Sequence, residues 1–381
     1  RRPAQVPNLT WRDGAGQVQE NPLTYSPETL DHVRIDYSYV VRAAARSLGF
    51  DLKNYKPLAG WFDYPIMAAL TCRGCTQNCL TCGGSAQAFR HMHGRTRPAY
   101  RDPEQLAADL WHMAEVTRGP VFIVGDLQQA GMSYAERFLQ AARGFPNPVI
   151  LELFDVASDG YLQKIGRTFS DWTLEISPET HDPAVRRAFG KAYDNQALEA
   201  TLATALDAGC RRLDVFFMIG LPQQTVESVL NTAGYCRHLM ERFNDNRLLP
   251  FISPLAPFLD PGSRAFENPE RYGYRLFCRT LEEHRQALEA PTWKHTLNYE
   301  TAWMSRADIV ESTYEAGLQL TRLKAERGVL SRAVAQDIED RVARARRLMT
   351  EIDRLLERCT PQEAERELMR LKPEIDGANI S

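Results

Sequence analysis

An α/β fold is predicted for this chain, and three observations carry the prediction. Six short apolar runs recur between residues 65 and 255, segments with helix-start signals lie between them, and each run is continuous rather than alternating. Continuous apolar runs suit strands buried on both faces of a parallel sheet. Repeated alternation of strand and helix is the signature of βαβ units with right-handed crossovers. A closed or partly closed barrel and a doubly wound sheet both fit this pattern.

Residues 1–60 are rich in Pro, Asn, Asp and Tyr and read as an irregular leader, with a helix expected near 38–48. The strands are expected at PIMAALT (65–71), VFIVGDL (121–127), VILELFDV (149–156), WTLEIS (172–177), RLDVFFMIG (212–220) and LPFISPL (249–255). Asp102-Pro103-Glu104-Gln105 offers an N-cap acid followed by proline at the first helical position, and Ser133-Tyr134-Ala135-Glu136 reads as a capping box. Further helices are expected over 194–208 and 224–243. Past Ser305 the composition shifts to Ala, Leu, Glu and Arg at helical spacing, with Gly328 as a break and Thr360-Pro361-Gln362-Glu363 opening a third helix. The expected organisation is a leader over 1–60, an α/β domain over 61–305 and a helical appendage over 306–381.

A chain of 381 residues has room for a barrel-sized domain and an appendage. With Lys+Arg 46 against Asp+Glu 49 the net charge is −3, so bulk charge implies neither a nucleic acid nor an anionic membrane as partner. No apolar run approaches the roughly 20 residues that cross a bilayer. The opening RRPAQVPNLTWRDG lacks the apolar core of a signal peptide, and a cytoplasmic location is expected. The chain starts at Arg1 rather than methionine, which raises the expectation that it is a piece of something longer.

The chemistry concentrates in TCRGCTQNCLTC, where Cys72, Cys75, Cys79 and Cys82 fall within twelve residues and make up half of the 8 cysteines. Cys210, Cys236, Cys278 and Cys359 are scattered, as single thiols in a reducing compartment would be. A structural zinc site pairs two C-x2-C knuckles across a dozen or more residues, and three residues between knuckles is too tight for that. The bacterial ferredoxin run has the opposite order of gaps and ends in proline, whereas Gly83-Gly84 follows here. The last three cysteines form C-x3-C-x2-C directly after an expected strand. Three thiolates on a [4Fe–4S] cube satisfy three irons and leave the fourth open.

Cys75-Thr76-Gln77-Asn78-Cys79-Leu80-Thr81-Cys82 in this position resembles the radical S-adenosylmethionine (radical SAM) superfamily. The resemblance implies a partial (β/α)6 TIM-like barrel over 61–305, with Cys75, Cys79 and Cys82 as cluster ligands and Cys72 outside the ligand set. It implies that the open iron chelates the amino and carboxylate groups of SAM, whose reductive cleavage yields methionine and a 5′-deoxyadenosyl radical. The residue before the last cysteine, usually aromatic in the family and placed beside adenine, is Thr81 here. Gly125-Asp126 matches, in shortened form, a Gly-Gly-Glu-like turn that binds the SAM amino group. Glu175 would bond the SAM ribose or amino group. Lys191, in the Arg186-Arg187-Ala188-Phe189-Gly190-Lys191 segment, matches a basic residue that pairs with the SAM carboxylate. Gly220-Leu221-Pro222 matches a strand end that turns toward the adenine side.

Leu255-Ala256-Pro257-Phe258-Leu259-Asp260-Pro261-Gly262-Ser263, the leader VPNLTWRDG and the tail after NYETAWMSR resemble the subgroup that carries an N-terminal cobalamin-binding domain. That resemblance implies cobalamin as a further cofactor and C-methylation as the reaction, with radical rearrangement, cyclisation or oxidation as the alternative. No Asp-x-His-x-x-Gly cobalt-ligand motif occurs, and no spare α/β domain precedes Pro65, so the expectation is that a cobalamin domain was removed upstream of Arg1, sits on another chain or was lost, the last leaving only adenosyl-radical chemistry. The implied partners are a small-molecule or peptide substrate and an electron donor such as flavodoxin or ferredoxin. The competing class is a non-catalytic iron–sulfur or zinc protein. His91 and His93 lack a third ligand at metal spacing, and Asp260 and Trp293-Lys294-His295 are expected near a substrate cavity.

Overall fold

The computed structural model describes residues 2–33, 35–39, 66–255 and 258–379. Six strands make its central sheet: β1 (Met67–Leu70), β2 (Val121–Val124), β3 (Val149–Leu153), β4 (Trp172–Glu179), β5 (Arg212–Ile219) and β6 (Leu248–Pro254). Each lies on an apolar run expected to be a strand. The strands stand side by side in sequence order, and β1 to β4 pair in parallel. A doubly wound sheet reverses its order at a switch point, and this one does not. The winding is that of a partial TIM-like barrel.

The helices are α1 (Ala86–His93), α2 (Pro103–Val116), α3 (Met132–Ala141), α4 (Asp159–Thr168), α5 (Pro183–Phe189), α6 (Asn195–Asp207) and α7 (Val226–Phe243), then the long α8 (Arg306–Glu326), α9 (Arg332–Arg358) and α10 (Pro361–Asn379). Among the described residues no helix is long and apolar enough to cross a membrane. The chain packs as two compact units, Arg1–Ser177 with Tyr193–Asp214 and Gly262–Arg264, and Pro178–Ala192 with Val215–Pro261 and Ala265–Ser381.

In the first unit, Met67, Ala69, Val121, Ile123, Val149, Leu151, Trp172 and Leu174 are fully buried, while Phe122, Ile150, Glu152, Thr173 and Glu175 between them are half-buried. The expectation of burial on both faces is thus corrected. The runs are apolar throughout, but one face is closed by packing against helices such as α2 and the other is only partly covered. Asp102 caps α2 as expected, accepting from the N–H groups of Glu104 and Gln105 at 3.1 and 3.2 Å. The capping box at Ser133 does not form. A 3-10 turn over Leu127–Ala130 delivers the chain to Gly131, whose φ of +93° starts α3 one residue before Ser133, and Glu136 instead meets Lys164 at 2.5 Å.

The leader is less irregular than expected. Thr10–Arg12 and Val18–Glu20 pair antiparallel, and Asp13 closes the hairpin by accepting from the N–H groups of Ala15 and Gln17, both at 2.9 Å. Buried Arg101 ties it to α2, donating to the carbonyls of Leu30 and Val33 and pairing with Asp109 at 2.6 Å. The helix expected near 38–48 lies, from residue 40 on, outside the described residues.

In the second unit α8 packs on α7 and β6, and α9 packs on α8 and α10. Gly328, at φ +73°, makes the expected break between α8 and α9. The chain leaves β5 through Gly220, at φ +96°, where a Cβ would sit 2.2 Å from the Tyr299 hydroxyl. Gln224 locks this turn, accepting from the N–H groups of Gly220 and Leu221 at 2.9 and 3.2 Å and donating to the Met218 carbonyl at 3.0 Å. Backbone strain and steric overlap act together here. Gly220→Ala is expected to destabilise the fold by about 1–3 kcal/mol, read as a lowered urea midpoint with an unchanged slope.

Candidate functional site

The site grows from the carboxyl end of β1. Cys72–Arg73 pairs antiparallel with Ala99–Tyr100, and the chain that this two-residue ladder sends outward carries the other three clustered cysteines. Pieces of chain distant in sequence hold that loop. The Gln129 carboxamide oxygen accepts from the Thr76 N–H at 2.8 Å and its hydroxyl at 3.0 Å. Arg264 donates to the Asn78 carbonyl at 2.8 Å. The start of α1 closes the loop, with Ala86 N–H on the Gln77 carbonyl at 2.8 Å and Gln87 N–H on the Asn78 side chain at 2.9 Å.

Within the loop, backbone N–H groups point at sulfur, Gln77 at Cys75 Sγ and Gly84 at Cys82 Sγ, both at 3.3 Å. Burial pushes the Cys75 thiol up to about 11, the Gln77 N–H opposes this, and the nearby Cys82 and Cys72 sulfurs add to it. Cys72 donates to the Gly74 carbonyl at 3.3 Å, and its thiol is raised by burial, with the Thr71 hydroxyl opposing and the Glu152 carboxylate adding to the rise. Thr81 is buried. Cys75, Cys79 and Cys82 are all unbridged and half-buried. This all-thiol set with N–H groups on its sulfurs fits soft-metal ligation such as an iron–sulfur cluster. Among the described residues no three His, Cys, Asp or Glu side chains converge on a single metal ion.

Gly125 and Asp126 follow β2 beneath this loop. Gly125 has φ +101°, and a Cβ there would lie 2.2 Å from Thr71 Oγ1 and 3.8 Å from Cys72 Sγ. The Asp126 carboxylate is 3% exposed and is used on backbone, accepting from Gln128 N–H at 2.8 Å and Phe154 N–H at 3.0 Å. Burial pushes it up to about 6 against the pull of those hydrogen bonds. The carboxylate that meets the turn itself is Glu152, which accepts from the Gly125 N–H. Glu152 and Glu175 are register partners on β3 and β4, on neighbouring strands about 4.8 Å apart. Glu175 has no hydrogen-bond partner among the described residues. Its carboxyl is raised by burial, then by Asp214, with Arg212 opposing.

Lys191 belongs to the second unit. Its ammonium is buried against Glu179 at 2.8 Å, with side chains 4% and 7% exposed, and Glu179 holds a φ of +67° at the end of β4. Arg186, also weighed from sequence, is buried and donates to the carbonyls of Pro178 and Thr180. His91 and His93 are exposed on α1. Trp293 donates to the Tyr314 hydroxyl at 2.8 Å and Lys294 meets Asp353 at 2.6 Å, which ties both to the C-terminal helices.

Sequence reasoning passed over Glu152, Glu179, Gln129 and Arg264. Glu152 had a visible signal, a lone acid inside the apolar run VILELFDV. Gln129 and Arg264 had none, because their importance is a contact with a loop far away in the chain.

Residues 70–236 match the family model described as the Radical SAM superfamily. No curated protein matches the chain. Among solved structures, the radical S-adenosylmethionine methyltransferase TsrM from Kitasatospora setae, with cobalamin and a [4Fe–4S] cluster bound, is similar at TM-score 0.56 and 12% identity, over 85% of this chain and 64% of that one. The same enzyme with tryptophan substrate and a SAM analogue matches at TM-score 0.52 and 12% identity, over 72% and 52%. The cobalamin-dependent S-adenosylmethionine radical enzyme OxsB matches at TM-score 0.50 and 11% identity, over 98% and 52%. The chain therefore spans between half and two thirds of the length of these three structures, and at these identities the likeness is one of fold.

A carboxyl whose pKa is raised by folding contributes stability that is present below its unfolded value and lost as pH rises through the folded value. For Asp126 that loss runs from the ordinary aspartate value of 3.8 to about pH 6 and is complete above it. Asp126→Asn keeps a backbone acceptor and carries no charge. Its melting temperature is expected to gain steadily on the parent's from about pH 4 to about pH 6 and to hold that gain above it, measured by scanning calorimetry.

Proposed function

We propose that this chain is a radical SAM enzyme, with Cys75, Cys79 and Cys82 holding a [4Fe–4S] cluster and SAM bound at the iron they leave open. The observation that carries this reading is the cysteine loop itself, three half-buried thiols at the carboxyl end of the first barrel strand, pinned by Gln129, Arg264 and α1. The cluster, when bound, supplies the electron that cleaves SAM to methionine and a 5′-deoxyadenosyl radical. The residues of the chain bind, orient and shield.

The Gly125-Asp126 turn offers backbone close to the loop, with no side chain in the way. Buried Thr81 takes the place beside adenine. Glu175, a half-buried carboxylate with no hydrogen-bond partner among the described residues, is assigned to donors on SAM, its ammonium or ribose hydroxyls. Lys191 is assigned to the SAM carboxylate, with Glu179 orienting its ammonium. The substrate is a small molecule or peptide, and the electron comes from a flavodoxin- or ferredoxin-like donor.

The finer reading is cobalamin-dependent C-methylation, supported by the subgroup resemblance of 255–263 and by the fold shared with TsrM and OxsB. Rearrangement, cyclisation or oxidation by the adenosyl radical is the alternative reaction.

Anaerobic reconstitution is expected to give about four irons per chain, an electron paramagnetic resonance signal shifted by SAM, and 5′-deoxyadenosine on reduction with dithionite. Replacing Cys75, Cys79 and Cys82 with alanine should abolish all three, and Cys72→Ala should preserve them. Stoichiometric zinc with no iron-dependent absorbance would refute the enzyme reading. Because the Glu175 pKa is raised, its charge is lost on acidification at a higher pH than for an ordinary glutamate. SAM affinity is therefore expected to weaken as pH falls through that raised value, and Glu175→Gln should bind weakly at all pH values with that dependence removed, read by equilibrium dialysis.

A further inference from the structure

We propose that Glu152 is a positioning residue that fixes the direction of the Val124–Gly125 peptide beneath the cysteine loop, and so sets the backbone groups that turn presents to ligand. The inference rests on the reading above in one respect, that the ligand presented to this turn is SAM.

The peptide plane between Val124 and Gly125 is held from two sides. Its carbonyl accepts from the Thr71 N–H at 3.1 Å and from the Thr71 hydroxyl at 2.8 Å, immediately before Cys72. Its N–H donates to the Glu152 carboxylate on the neighbouring strand. Asp126 answers in the opposite direction, from the turn to the end of β3, by accepting from Phe154 N–H at 3.0 Å. The ends of β2 and β3 thus exchange carboxylate-to-backbone hydrogen bonds across one step of sheet.

This arrangement matters because of what Gly125 is. A glycine at φ +101° lacks the Cβ that would restrict its backbone, so its flanking peptides rotate at little steric cost. The clash a Cβ would make with Thr71 Oγ1 shows why no other residue fits. The turn therefore needs rigidity from outside, and a buried N–H left unpaired would cost as much as a lost hydrogen bond. Glu152 supplies both. A hydrogen bond to a charged acceptor is worth more than a neutral one. Asp126 cannot replace it, since its carboxylate is already used on Gln128 and Phe154.

The experiment compares Glu152→Ala and Glu152→Gln with the parent in two states. In the apo protein, hydrogen exchange reports the amides of Gly125 to Leu127. In the reconstituted protein, iron content and SAM affinity are measured by chemical assay and equilibrium dialysis. We expect Glu152→Ala to keep the parental iron content but to lose protection at Gly125 and bind SAM at least about tenfold more weakly. Glu152→Gln, whose amide oxygen still accepts, should restore both. Parental exchange and affinity in Glu152→Ala would overturn the proposal. So would a Glu152→Gln as impaired as Glu152→Ala, which would assign the effect to charge instead of geometry. A parent that takes up neither cluster nor SAM would defeat the functional reading instead, and the apo exchange data would still decide whether Glu152 holds the turn.

Discussion

A parallel sheet wound in strand order ends all its strands at one edge, and the chemistry of this protein depends on that constraint. Thr71, Gly125 and Phe154 follow three consecutive strands, and parallel register brings them within reach of one another. None of these positions is remarkable alone. Together they let a threonine, a glycine peptide and a glutamate form one chain of hydrogen bonds directly under four cysteines. A loop of small and polar residues with no secondary structure of its own inherits its shape from that edge, through Gln129, Arg264 and the first turn of α1.

Much of the architecture was legible. Six apolar runs became six strands because a strand buried in a parallel sheet needs continuous apolar sequence, and the cap at Asp102 announced α2. What pattern left open was the winding, since barrel and doubly wound sheets share the same alternation, and only strand adjacency separates them. The box at Ser133 failed for a local reason, a tight turn that delivered the chain to the helix early. The burial of the strands was misjudged because apolar composition says that a face can be buried, not that something covers it.

The site divides along the same line. Cysteine spacing is a local property and could be read directly. Carboxylate roles are not local. Asp126 has the right position in sequence to face a ligand, yet its side chain is drawn back into the backbone of β3, whereas Glu152, one strand over, reaches the turn. Each acid accepts from a backbone N–H of the neighbouring strand end, because a buried donor left unpaired costs as much as a lost hydrogen bond.

Glu179 and Lys191 carry a consequence for how this chain can vary. The pair is almost wholly buried, so losing either member would strand a charge, whereas exchanging both for well-packed apolar residues can be close to neutral. Single-step drift is closed to them. Across related chains the two positions should therefore covary, twelve apart in sequence, and a relative with an apolar residue at one should have lost the charge at the other. The positive φ at Glu179 narrows the choice further, toward asparagine or glycine where the glutamate is given up. A buried contact of this kind leaves its record in the history of a family as well as in its stability.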